Sequence, residues 1–151
     1  MPTIRIETII TGEIQTCFDL SRSIELHVES TKQTKERAIA GKTSGLLELG
    51  ETVTWEATHF GIRQQLTSKI TAFESPTYFR DEQVKGIFKK FEHDHHFYQK
   101  GVQVIMTDVL YFESPLGLLG KLFNKLILTN YLKRFLMERN KLIKLKIEMV
   151  N

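Results

Sequence analysis

Four side chains in this sequence carry the chemistry worth explaining: His59, His93, His95 and Asp108. His93-x-His95 places two imidazoles on one side of any extended strand, because successive side chains alternate faces. His59 and Asp108 fall on the matching phase of two other alternating stretches. All four are then expected to point inward, among Trp55, Phe91, Phe97 and Met106. Buried polar groups left without partners cost about 1–3 kcal/mol each. The four must therefore pair with one another, with water, with a ligand or with a metal.

Several chemistries suit such a group. Histidines and an aspartate can orient the hydroxyl or carbonyl head of a ligand whose body rests on Trp55 and the phenylalanines. His93, His95, His59 and Asp108 also make a donor set of the kind that holds zinc or iron, although no third ligand stands at fixed spacing. Asp108 orienting a histidine would serve acid–base chemistry. A satisfied hydrogen-bond network that stiffens a sheet is the purely structural alternative. His96 falls on the outer face. His27 and Cys17 are single residues; Cys17 lies on an apolar stripe beside Phe18, as a small buried hydrophobe does.

The elements that position these residues are read from periodicity. Thr3–Thr11 alternates as a first strand ending at Gly12. Glu13–Leu20 is a short amphipathic helix, and Ser21 or Ser23 caps a second short turn through Ile24, Leu26 and His27. Thr34–Gly41 is a strand. Glu51–Phe60 sets Val53, Trp55, Ala57 and His59 on one face, and Ile62–Phe73 sets Ile62, Leu66, Ile70 and Ala72 on one face, with Gly61 turning the pair into a hairpin. Thr77–Lys85 and Ile87–Gln99 follow, the latter with Phe91, His93, His95 and Phe97 together. Val102–Glu113 puts Val104, Met106, Asp108, Leu110 and Phe112 inward.

Ser114–Lys146 reads as one long helix, with Ser114 as N-cap and Pro115 at the first helical position. Leu119, Leu122, Phe123 and Leu126 share one face; Leu128, Leu132, Phe135, Leu142 and Ile143 share the opposite one. The apolar stripe flips near Ile127-Leu128, so a straight helix would expose one of the two. Lys121–Lys146 holds eight Lys or Arg against the single acid Glu138, leaving 13 basic and 17 acidic residues elsewhere. That asymmetry is either a solvated helix face or a surface for anionic partners.

Strand, two short helices, about six antiparallel strands and a long helix make an α+β arrangement, a sheet of about six or seven strands curved around the last helix with room for a pocket between them. This element order, with HFG at His59–Gly61, GIFKKFEHDHHF at Gly86–Phe97, MTD at Met106–Asp108 and the helix Ser114–Asn140, resembles the START-like (SRPBCC) superfamily. The nearest branch in appearance is that of small bacterial single-domain proteins sometimes labelled cell-division related. The resemblance spans essentially the whole chain. It implies a helix-grip fold with a hydrophobic tunnel. Relatives bind lipids, sterols, polyketides or quinones, and a few are cyclases or hydrolases. No catalytic residues carry over.

The expectation is one domain over residues 1–151 that holds a small hydrophobic molecule. Its contacts would be Trp55, His59, Phe91, His93, His95, Phe97, Met106 and Asp108 from the sheet, with Leu119, Leu122, Phe123 and Leu126 from a lid. No cofactor or metal is implied. The alternatives are a module touching anionic membrane or another protein through the basic helix, and a cyclase- or hydrolase-type enzyme using the His/Asp group. Nucleic-acid binding is disfavoured, since no such motif is present. One cysteine, no leader pattern and no apolar run of spanning length point to the cytoplasm.

Overall fold

The computed structural model describes residues 2–114 and 127–149. In chain order it contains β1 (Thr3–Thr11), α1 (Ile14–Ser21), α2 (Ile24–Ser30), a 3-10 turn (Lys32–Thr34), β2 (Arg37–Gly41) and β3 (Thr52–His59). There follow β4 (Ile62–Glu74), β5 (Tyr78–Lys85), β6 (Lys90–Lys100), β7 (Gln103–Glu113) and α3 (Thr129–Glu148). The strands form one antiparallel seven-stranded sheet in the order β1-β7-β6-β5-β4-β3-β2. Strands β2 to β7 follow one another as a meander, and β1 returns to the far edge to pair with β7. This curved sheet gripping a terminal helix is the helix-grip fold.

Local chemistry explains the element ends. The Ser23 hydroxyl accepts from the Leu26 amide at 3.1 Å, so α2 starts where a serine cap is expected. Helix α1 has no side-chain cap of its own; Gln99 of β6 takes the Ile14 amide at 2.8 Å instead. Phe60-Gly61 joins β3 to β4 with positive φ at both residues, the two-residue turn whose twist suits a hairpin. Gly41 (φ +71°) is needed at its place: a Cβ there would lie 2.5 Å from the Thr52 carbonyl oxygen.

The core beneath α1 and α2 is aromatic. Phe18 is wholly buried and meets Phe73, Phe79 and Phe97 edge-on, with centroids 5.3, 5.4 and 5.4 Å away. Such pairs add about 0.5–1.5 kcal/mol each beyond area burial. Cys17 is buried beside it, and burial pushes its thiol pKa up to about 11.

Three expectations from periodicity are corrected. In β4 the register slips between Ile70 and Ala72, a bulge that turns Phe73, rather than Ala72, onto the core. Ile62, at the hairpin tip, is 62% exposed. From Leu128, just before α3, the inward stripe runs on through Leu136, Arg139, Asn140, Ile143 and Ile147. Arg139 is therefore part of the interior and not of a solvated basic face. The predicted first half of the long helix, with Leu119, Leu122, Phe123 and Leu126, lies outside the described residues. No helix among the described residues is long and apolar enough to cross a membrane.

Candidate functional site

Strand alternation on β6 and β7 brings His93, His95 and Asp108 to the concave face, and α3 lowers Arg139 and Asn140 onto them. Nε2 of His93 donates to Asp108 Oδ1 at 2.8 Å, and Nδ1 of His95 lies 3.3 Å from the same oxygen. Asn140 Nδ2 donates to Asp108 Oδ2 at 2.7 Å and to Thr8 Oγ1 at 3.1 Å. Arg139 stands 3.5 Å from Asp108 Oδ1 and donates to the Asn140 side chain at 2.8 Å and the Ser21 carbonyl at 2.9 Å. Nε2 of His95 bonds Asp81 Oδ2 at 2.7 Å. The imidazoles of His93 and His95 stack at 3.7 Å, and His95 also stacks on Phe79 at 4.0 Å.

Burial and pairing oppose each other throughout this cluster, and the balance differs between the two imidazoles. For His95, burial disfavours the charged form, but hydrogen bonds to Asp108 and Asp81 outweigh it and raise the pKa above 6.5. For His93, burial and the neighbouring His95 charge win over Asp108, so its pKa is lowered. Burial would also raise both aspartates. Hydrogen bonds from His93 and His95 hold Asp108 well below 3.8 instead, and the bond from His95 lowers Asp81. Two buried carboxylates, Asp81 and Asp108, are thus set against the Arg139 guanidinium and two imidazoles.

Next to this cluster, between the inner sheet face and α3, lies a cavity of about 320 Å³. Its apolar walls include Trp55, Phe79, Phe91, Leu110, Leu132 and Leu136. A second polar group lines another part of it. His59 Nδ1 and the Tyr131 hydroxyl are 2.7 Å apart, and His27 Nε2 meets Glu36 Oε1 at 2.7 Å while its ring lies 4.1 Å from the Trp55 indole. Burial lowers the pKa of His59 and raises that of Tyr131. Burial also works to raise Glu36, but His27 outweighs it and keeps that carboxyl low.

The structure thus places Trp55, His59, Phe91, His93 and His95 on the cavity wall. Phe97, Met106 and Asp108 sit one layer behind it, in the core and the polar cluster. His59 does not join the other histidines; it pairs with Tyr131 and packs edge-on against Phe135 at 5.6 Å. A metal set of His59, His93, His95 and Asp108 is therefore not assembled. Asp81, His93 and His95 do bring one donor atom each within 4.8 Å of one another. The Arg139 guanidinium stands 3.4 Å from His95 Nδ1, the other ring nitrogen from the one bonded to Asp81. Sequence reasoning missed Asp81, Tyr131, Glu36, Arg139 and Asn140.

No family model matches this sequence, and no curated protein sequence does. Solved structures do match in fold. A Thermus thermophilus protein, TTHA0849, superposes with a TM-score of 0.73 at 17% identity, covering 94% of this chain and 97% of that one. A START superfamily protein from Mycobacterium smegmatis gives 0.72 at 12% identity, covering 99% of each chain. The major latex-like protein 151 of Panax ginseng gives 0.70 at 19% identity, covering 97% of each. The chain has the START-like fold.

Proposed function

We propose that this chain is a single binding domain that holds a small hydrophobic molecule, such as a lipid, quinone or polyketide, between the sheet and α3. The observation that carries the reading is the cavity itself. Protein interiors are close-packed, with few voids larger than a water molecule. A space of about 320 Å³ walled by aromatic and aliphatic side chains, and edged by two ordered polar groups, is no packing accident. It falls at the small end of the range for ligand pockets, roughly 300–1,000 Å³, which favours a compact ligand over a two-chain lipid. We place the protein in the cytoplasm, in keeping with its single, buried, unpaired Cys17.

Native mass spectrometry of the purified protein tests this reading through a retained small-molecule mass. Trp55, the sole tryptophan, lines the cavity and reports entry of an apolar compound by a change in emission. No retained mass together with unchanged Trp55 emission across a panel of apolar compounds would sink it.

Two further readings have observations behind them. Stacked imidazoles with opposite pKa shifts suit a general base beside a general acid; recovery of every bound compound chemically unchanged argues against that. Phe60 and Ile87 are 51% and 49% exposed while also lining the cavity, as residues that touch a membrane during ligand exchange would be. Failure to float with anionic liposomes at low salt removes that role.

A further inference from the structure

The two carboxylates of the inner cluster are used very differently. Asp108 accepts from His93, His95 and Asn140, has Arg139 at 3.5 Å, and keeps 3% of its side chain accessible. Asp81 has one short bond, from His95 to Oδ2 at 2.7 Å, and one long contact, from Ser68 Oγ to Oδ1 at 3.5 Å. Its side chain stays 24% accessible, and because Asp81 is on the inner face of β5 and lines the cavity, that surface opens there. An ionised carboxylate accepts about four hydrogen bonds, so Asp81 Oδ1 has capacity to spare. Beside it, His93 has committed Nε2 to Asp108; its Nδ1, an acceptor in the neutral ring, meets no partner among the described residues. An apolar cavity thus presents a carboxylate oxygen with accepting capacity to spare, with the His93 ring beside it. A ligand carboxylate would face the Asp81 carboxylate with no hydrogen to offer, and a ligand cation would meet the Arg139 guanidinium that also lines the cavity.

We infer that the molecule held here carries an uncharged hydrogen-bond donor, a hydroxyl on a compact apolar ring system, which docks on Asp81 Oδ1 beside His93. Fatty acids and other anionic amphiphiles are the wrong class for this cavity. The inference rests on the cavity-binding reading and adds the chemistry of the ligand's polar group.

The experiment is displacement of N-phenyl-1-naphthylamine, whose fluorescence rises on entering an apolar site, by three matched compounds at neutral pH. 2-Naphthol donates a hydrogen bond, 2-methoxynaphthalene has the same body without the donor, and 2-naphthoate is anionic. A hydrogen bond to a charged acceptor predicts displacement by naphthol at a concentration at least about tenfold lower than by the ether. Naphthoate should be the weakest of the three. Asp81→Asn, checked for folding by near-UV circular dichroism, should remove most of the naphthol advantage; should that variant not fold, the wild-type series decides alone. Probe binding with naphthol and the ether equivalent, or with naphthoate strongest, overturns this inference and leaves cavity binding standing. Failure of the probe to enter the wild-type protein overturns both.

Discussion

Replacing Asp108 by Asn removes one negative charge from the most enclosed point of the polar cluster. Asp108, His95 and Arg139 keep only 3%, 4% and 8% of their side chains accessible, so solvent screens little of what is lost. The Arg139 guanidinium and the His95 imidazole lose their shared acceptor, and the new amide must set its NH2 against a donor, either Asn140 Nδ2 or the His93/Arg139 side. Breaking a buried pair in this way costs about 3–5 kcal/mol. Removing Asp108 also removes a hydrogen bond that raises the His95 pKa, while burial still lowers it, and that draws the expected loss toward the lower end. Against a total stability of about 5–15 kcal/mol, this is a large fraction, and it corresponds to a fall in Tm of roughly 6–20 °C for a chain of this size. Urea unfolding at neutral pH, followed by circular dichroism and Trp55 emission, measures it. The double variant Asp108→Asn/Arg139→Gln should lose less than the sum of its parts, since each single change strands the other's partner. A loss below about 0.5 kcal/mol, the range of ordinary surface changes, would show that these residues do not act as one charge-coupled unit.

Other outcomes are expected. Asp81 and Asp108 have folded pKa values below 3.8, so the stability they contribute is present above that value and lost as pH falls through the folded values. His95, raised above 6.5, contributes stability that is complete below 6.5 and lost as pH rises through its folded value, whereas His93, lowered, acts in the reverse sense. Urea midpoints across pH should therefore show a shallower acid decline in Asp108→Asn and a smaller alkaline decline in His95→Gln. Tyr131→Phe deletes the 2.7 Å contact with His59 and should cost about 1 kcal/mol; an unchanged urea midpoint would mean the pair is idle. Gly41→Ala forces a Cβ to within 2.5 Å of the Thr52 carbonyl at φ +71° and should cost about 1–3 kcal/mol, read from the same denaturation curve.

Much of the cluster was legible because alternation on β6 and β7 is regular: His93, His95 and Asp108 needed only a period of two to be placed. Asp81 was not legible, since Arg80-Asp81-Glu82 puts charge on both faces of β5, and only Phe79 marks which phase is inner. Arg139 counts among the eight basic residues of the helix and Asn140 is not singled out, yet a signal existed: they interpolate between Leu136 and Ile143 on the apolar stripe. The bulge in β4 left no trace in residue type, which is why Ala72 and Phe73 exchange faces. The side on which His59 stands followed from its strand, but its partner Tyr131 comes from a helix 72 residues later, and no local pattern announces that pairing.

The return of β1 to the edge beside β7 has a kinetic consequence. Thr3 pairs with Tyr111, and Asn140 ties Thr8 to Asp108, so strands from opposite ends of the sequence are joined by a residue of the final helix. Contacts of such long sequence separation carry the largest loop-closure penalty and form after local hairpins have docked. A bond absent from the folding transition state slows escape from the native basin without hastening arrival there. Stopped-flow rates for Asn140→Ala should accordingly show faster unfolding with refolding little changed. The tie that Asn140 makes across β1 and β7 then sets the lifetime of the native fold.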